Sequence, residues 1–317
     1  MNSTTNDVDV SSHPLLIAAD VLSFSLSVTG LLTNTLVMFL FARYKELRKR
    51  TELTNLVVLA AFDFCRCGSS LLFNAVKSSQ QLLQLSRAAC LSVALTLMYT
   101  TEFSQRQLLW IAIDRLYAIK KPHTYRSYNH RLRAAYAVAV LFVLAVPETV
   151  YAYSVLDNPS RIDQEWHLMD VISLGFVLQI TLGNIIVALL MSATNAALWH
   201  HHQKFIKMKA SSKPSEERER KRESKLNSTV MVTTLVCILA YVVPLIVYTI
   251  VMASEPGRMA AHLSERFVST MTILNSAVNL FIYAASYDDF KDAMKKFFGI
   301  NQTQVVPLNS TGQSKTR

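Results

Sequence analysis

Seven predominantly apolar runs, each long enough to cross a bilayer, constrain this chain more than any other feature. They are roughly Leu15 to Ala42, Leu53 to Val76, Ala88 to Ile119, Ala134 to Val155, Met169 to Trp199, Thr229 to Ala253 and Phe267 to Ala285. Backbone in lipid must satisfy its own hydrogen bonds, so runs of this length read as helices. The expected fold is an all-α membrane protein, a seven-transmembrane helix bundle over residues 15–287. The third run exceeds what a bilayer needs, which predicts a tilted span. Composition agrees: 51% of the residues are hydrophobic and only 17% charged.

An odd number of spans puts the two termini on opposite sides. Arg43, Lys45, Arg48, Lys49 and Arg50 follow span one, and Lys120, Lys121, Arg126, Arg131 and Arg133 follow span three. Nine Lys and Arg between Lys204 and Lys225 follow span five, and Lys291, Lys295 and Lys296 follow span seven. The alternate segments hold few basic residues, so these four face the cytoplasm. The net charge of +10 therefore belongs to a membrane topology, and nucleic acid is not an expected partner. Residues 1–14 become an extracellular amino terminus, with Asn2-Ser3-Thr4 as a glycosylation acceptor. The first run follows a polar start without basic residues and ends in a basic cluster, which reads as a retained span rather than a cleaved leader. The plasma membrane is the expected location.

Asp288 to Phe298 reads as a short amphipathic eighth helix, with Phe290, Ala293, Met294, Phe297 and Phe298 on one face and three lysines for lipid headgroups. Residues 299–317 are expected to be a polar, disordered cytoplasmic tail. The charge-dense stretch Lys209 to Lys225 either extends its neighbouring helices or stays mobile. Of the four cysteines, Cys65, Cys67 and Cys237 are expected as small buried hydrophobes, and no spacing suggests a zinc site.

Polar residues inside a span are costly and so carry a functional expectation. Asn34 lies in span one, Asp63 in span two, Ser104 in span three, and Asn275, Ser276 and Asn279 in span seven. A carboxylate among hydroxyl and amide oxygens suits a small hard cation or a water network. Hydrogen bonding between helices would explain the same residues. At the inner end of span three stands DRLYAIKKPHTY, Asp114 to Tyr125. Cys90 precedes Arg115 by 25 positions, roughly 37 Å of helix, so it lies at the outer mouth when Arg115 lies at the inner one.

Taken in order, TNTLV around Asn34, NLVVLAAFD ending at Asp63, Cys90, DRLYAIKKPHTY with Pro122 and Tyr125, and NLFIY from Asn279 to Tyr283 resemble the rhodopsin-like (class A) G-protein-coupled receptors. The resemblance covers about residues 15 to 298. It implies a receptor that passes an extracellular signal to a heterotrimeric G protein. Arg115 resembles the arginine held by its neighbouring acid, here Asp114, and released to meet the G protein. Asp63, Ser104, Asn275 and Asn279 resemble a sodium-binding cluster, so a bound sodium ion is the one candidate cofactor. Tyr283 resembles a tyrosine that swings inward on activation, and Pro244 a proline that kinks span six as a hinge.

The chain departs from the family pattern in places. No cysteine lies between Leu156 and His167 to partner Cys90, Val242 stands where tryptophan is common, and Leu280 replaces the proline of NPxxY. Spans four and five lack their usual tryptophan and proline, and His123 stands where an apolar contact is common. This divergent set is similar to invertebrate chemosensory receptors, including nematode serpentine chemoreceptors.

Leu97 stands at the depth of span three where amine receptors of the family carry an aspartate, so the resemblance argues against an amine ligand, and the absence of lysine from span seven excludes a retinal Schiff base. The outer-half pocket candidates are Leu97, Met98, Thr101, Glu102, Glu148 and Tyr241. The ligand is an unidentified small molecule or short peptide. Glu102 could meet a cationic ligand or pair with Arg106. No metalloprotease motif, Ser–His pairing or paired carboxylates suggest an enzyme; His200, His201 and His202 read as an inner surface run. A transporter or channel would need internal repeats or a continuous polar path. A non-signalling seven-helix scaffold is the other alternative.

Overall fold

A computed structural model describes residues 13–49, 51–78, 87–127, 129, 132–144, 174–208, 214–254 and 258–300. All the regular structure among them is helical. Span one is Pro14–Arg43, span two Thr51–Ser78, span three Arg87–Lys120 and span five Leu174–Met208. Span six begins at Pro214, and span seven is Arg258–Ser286. Of span four, Leu132–Leu144 is described. Among the described residues, five helices are long and apolar enough to cross a membrane by length and composition. Asn2, Glu148 and the tail from residue 301 lie outside the described residues, as does the second outer loop.

The outer faces of the bundle are apolar, and its interior holds polar groups among an apolar core. Leu32, Leu132, Val143, Leu189 and Ile250 are exposed on the outer faces, while Asn34, Asp63, Ser104, Asp114, Arg115 and Asn279 are buried. A water-soluble protein sorts its residues the other way, so the exposed surface is built for lipid. Span one packs against spans two and seven, span two against three, span three against five, and span six against seven. Small residues permit the closest of these approaches. A Cβ on Gly30 would collide with Cys67 Sγ of span two, and Ser27 and Ser70 meet at 3.1 Å nearby. Cys67 and Cys237 are buried as expected, whereas Cys65 is exposed. Residue 65 is two positions from 67, so the helix turns it out toward the lipid side.

The charge-dense inner stretch resolves from Pro214 onward as helix: span six runs from there without a break to Cys237. It then widens into a π turn over Ile238–Val242, where Val243 N–H bonds the carbonyl of Ile238, five residues back. Pro244 follows at once. Proline has no N–H to donate and its ring crowds the preceding turn, and the widened turn eases that crowding.

After Ser286 the chain turns at Tyr287 (φ −111°) and enters the eighth helix, Asp288–Phe297. Phe290 and Ala293 are buried against the bundle, and Phe297 meets Phe39 edge-on at 5.6 Å. Phe298 remains exposed. Gly299, at φ 66°, ends the helix in a conformation that glycine reaches without strain.

Candidate functional site

At mid-depth, Asp63 of span two accepts three hydrogen bonds, from neighbours on spans three and seven. Ser104 Oγ donates to Oδ1 at 2.9 Å, Ser276 Oγ to the same oxygen at 2.8 Å, and Asn279 Nδ2 to Oδ2 at 2.5 Å. Asn34 ties span one in by donating to the Ser276 carbonyl at 3.1 Å. Asn275 does not bond the carboxylate; it lines a small cavity with Arg66, Thr101 and Ser276. One step along a helix turns a side chain by about 100°, and it is Ser276 that turns toward Asp63. The donor set fits a small hard cation: one carboxylate, two hydroxyls, and amide oxygens of Asn275 and Asn279 that are buried with no hydrogen-bond partner. Arg66, one turn along span two, brings a fixed positive charge that opposes such an ion.

At the inner end, Asp114 and Arg115 are both buried, and Arg115 folds back so that Nη2 lies 2.5 Å from Asp114 Oδ2. Neighbouring helix positions do not face each other, so only a long side chain can close this pair. The short helix Pro122–Ser127 carries Tyr125 beneath it. Proline suits the first turn of a helix, where its missing N–H goes unused. The Tyr125 hydroxyl accepts from Arg115 and donates to Asp114 Oδ2 at 2.9 Å. Burial pushes the Tyr125 phenol above its usual range, so it keeps its proton. Arg133, at the start of span four, takes the other carboxylate oxygen at 2.7 Å and lies 4.7 Å from the centre of the Tyr125 ring. His123 is exposed beside this cluster. Tyr283 is buried against Tyr287 and Phe290.

Toward the outer side a cavity of about 210 Å³ opens between spans two, three, five, six and seven. Leu97, Met98, Thr101, Glu102 and Tyr241 line it, five of the six residues expected in a pocket. Glu102 sits 3.4 Å from Arg106 and also accepts from Asn184 (2.8 Å) and Tyr241 (3.1 Å). Its partners are thus on spans three, five and six, and its place is that of a packing carboxylate. Arg266 Nε lies 2.7 Å from Asp20 Oδ1, an ion pair that joins spans seven and one at the mouth. Arg66 lies on the floor, 4% exposed, and donates to Thr272 at 2.5 Å. The sequence alone did not bring Arg66 forward, although an arginine three residues after Asp63 inside an apolar run is itself a signal. Arg133 was likewise counted only as a loop charge.

Among the described residues, no group of three His, Cys, Asp or Glu could hold a metal. Curated proteins gave no match to this chain. A family model described as "7 transmembrane receptor (rhodopsin family)" matches residues 33–283. That stretch holds Asn34, Asp63, Asp114, Arg115, Pro244 and Tyr283, and by it the chain belongs to the rhodopsin family of seven-transmembrane receptors.

Proposed function

We propose that this chain is a plasma-membrane receptor, amino terminus outside, that binds an extracellular small molecule or short peptide in its outer cavity and signals to a heterotrimeric G protein within. It acts by changing shape and catalyses no reaction. The observation that carries this reading is the buried inner cluster, in which Arg115 is shared by Asp114 and Tyr125 while Arg133 holds the second carboxylate oxygen. A cation held this way is in a closed state, and freeing it presents a guanidinium at the cytoplasmic face. The π turn and Pro244 supply the bend about which the inner half of span six moves. Tyr241 reaches Glu102 from within that turn, so occupancy of the cavity bears directly on the hinge. The ligand drives the change only to the extent that it binds the open state better than the closed one.

A sodium ion, when bound, neutralises the Asp63 carboxylate, with Ser104, Ser276 and the Asn275 and Asn279 oxygens as further donors. The cavity is small, which favours a low-mass chemical signal and so a chemosensory role. The test compares G-protein activation, basal and across a ligand panel, for the native chain and Arg115→Ala at matched surface expression. Loss of signal in the variant supports the reading. A native chain that reaches the surface and never activates any G protein overturns it and favours a scaffold.

A further inference from the structure

The outer cavity is lined by three acids and three arginines. Five of these six groups lie against one another at the walls. Glu102 is beside Arg106 and accepts from Tyr241 and Asn184, and Asp20 and Glu265 both lie against Arg266. Arg66 is left over. Its Nη2 donates to Thr272, but Nε and Nη1 are buried with no hydrogen-bond partner. The nearest acid along its own helix is Asp63, whose oxygens are taken by Ser104, Ser276 and Asn279. A guanidinium keeps its charge in proteins; the Asp63 carboxylate offsets part of that charge from one turn away, but buried N–H donors with no hydrogen-bond partner remain costly. With one donor of Nη2 on Thr272, at least one two-pronged edge of the group stays open, and a carboxylate fits that edge with two parallel hydrogen bonds.

We infer that the ligand of this receptor is a small organic acid whose carboxylate docks on Arg66 at the cavity floor. Its apolar body lies against Met98, Val177 and Leu245, which line the same cavity. Thr272 sets the guanidinium's orientation and Thr101 borders the site. This inference rests on reading the cavity as the receptor's ligand site.

The test is thermal unfolding of the purified full-length chain with sodium benzoate or sodium hexanoate, against benzamide or hexanamide, and against sodium chloride at equal ionic strength. The acids raise the midpoint by about 2–4 °C over their amides, and Arg66→Gln abolishes the rise. Should Arg66→Gln not fold, Thr272→Val, which removes the orienting hydroxyl, reduces the rise instead. Equal shifts for acid and amide, no shift with either acid, or a shift that survives Arg66→Gln each overturn the inference. So does an equal shift from chloride alone, which makes the partner an inorganic anion. The measurement needs no G protein, so Arg115→Ala retains the acid-dependent rise. A chain that binds acids yet never couples sinks the proposed function and leaves the acid site standing.

Discussion

Tyr125→Phe isolates the hydroxyl that holds the inner cluster together. That oxygen accepts from Arg115 and donates to Asp114, both of them charged. A hydrogen bond to a charged group contributes about 1.5–3 kcal/mol. Much remains after the substitution, because Arg115 keeps Asp114 at 2.5 Å and Arg133 keeps the other oxygen at 2.7 Å. The ring also stays, with Arg133 4.7 Å and Arg115 5.4 Å from its centre. The lower end of the range therefore applies. If the bridge exists only in the closed state, the loss raises the ratio of open to closed receptor about ten-fold. The assay is basal nucleotide exchange on a G protein, in membranes with matched receptor number. Because the buried phenol stays protonated, the increase holds from mildly acid to mildly alkaline buffer. Basal exchange in Tyr125→Phe at or below native, while Arg115→Ala still lowers it, would refute the closed-state bridge.

Two further outcomes are expected. Gly30→Ala drives a methyl into Cys67 Sγ and costs about 1–3 kcal/mol, read as a lower unfolding midpoint; adding Cys67→Ala restores most of it, and a double variant as unstable as the single one disproves the clash. Replacing sodium by choline lowers the native stability only slightly, by about 0.4 kcal/mol where sodium merely equals its Kd, read as a small fall in the unfolding midpoint; Asp63→Asn removes the response and Arg66→Gln enlarges it, whereas a native chain indifferent to sodium leaves the cluster as helix packing.

The spans were legible because lipid imposes one long apolar run per crossing, and Leu15 to Ala42 or Thr229 to Ala253 admit no other reading. Side-chain partnership across the bundle was less legible. Asn275 and Ser276 are adjacent, and only the rotation of span seven chooses between them for Asp63. Arg133 follows Asp114 in a loop-like basic stretch, yet span four begins early enough to bring it back onto that carboxylate. Arg66 could have been noticed for its place in an apolar run, but its bond to Thr272 and its two nitrogens without a partner exist only in the folded bundle. The inner stretch from Pro214 gave two readings, and the helix of span six propagates into it.

The π turn at Ile238–Val242 is an α turn with one residue too many. Span six therefore carries an insertion in its own middle, in a helix of which 30 residues already exceed the thickness of hydrocarbon. Deleting Leu239, whose side chain is exposed toward lipid, would let the turn close toward ordinary α geometry while the helix still crosses. Elsewhere in the bundle a one-residue deletion would rotate everything beyond it off its partners. At this point the loss falls on the slack that lets the helix bend, so the same gene lesion that scrambles another span would leave a well-folded receptor with a stiff sixth helix.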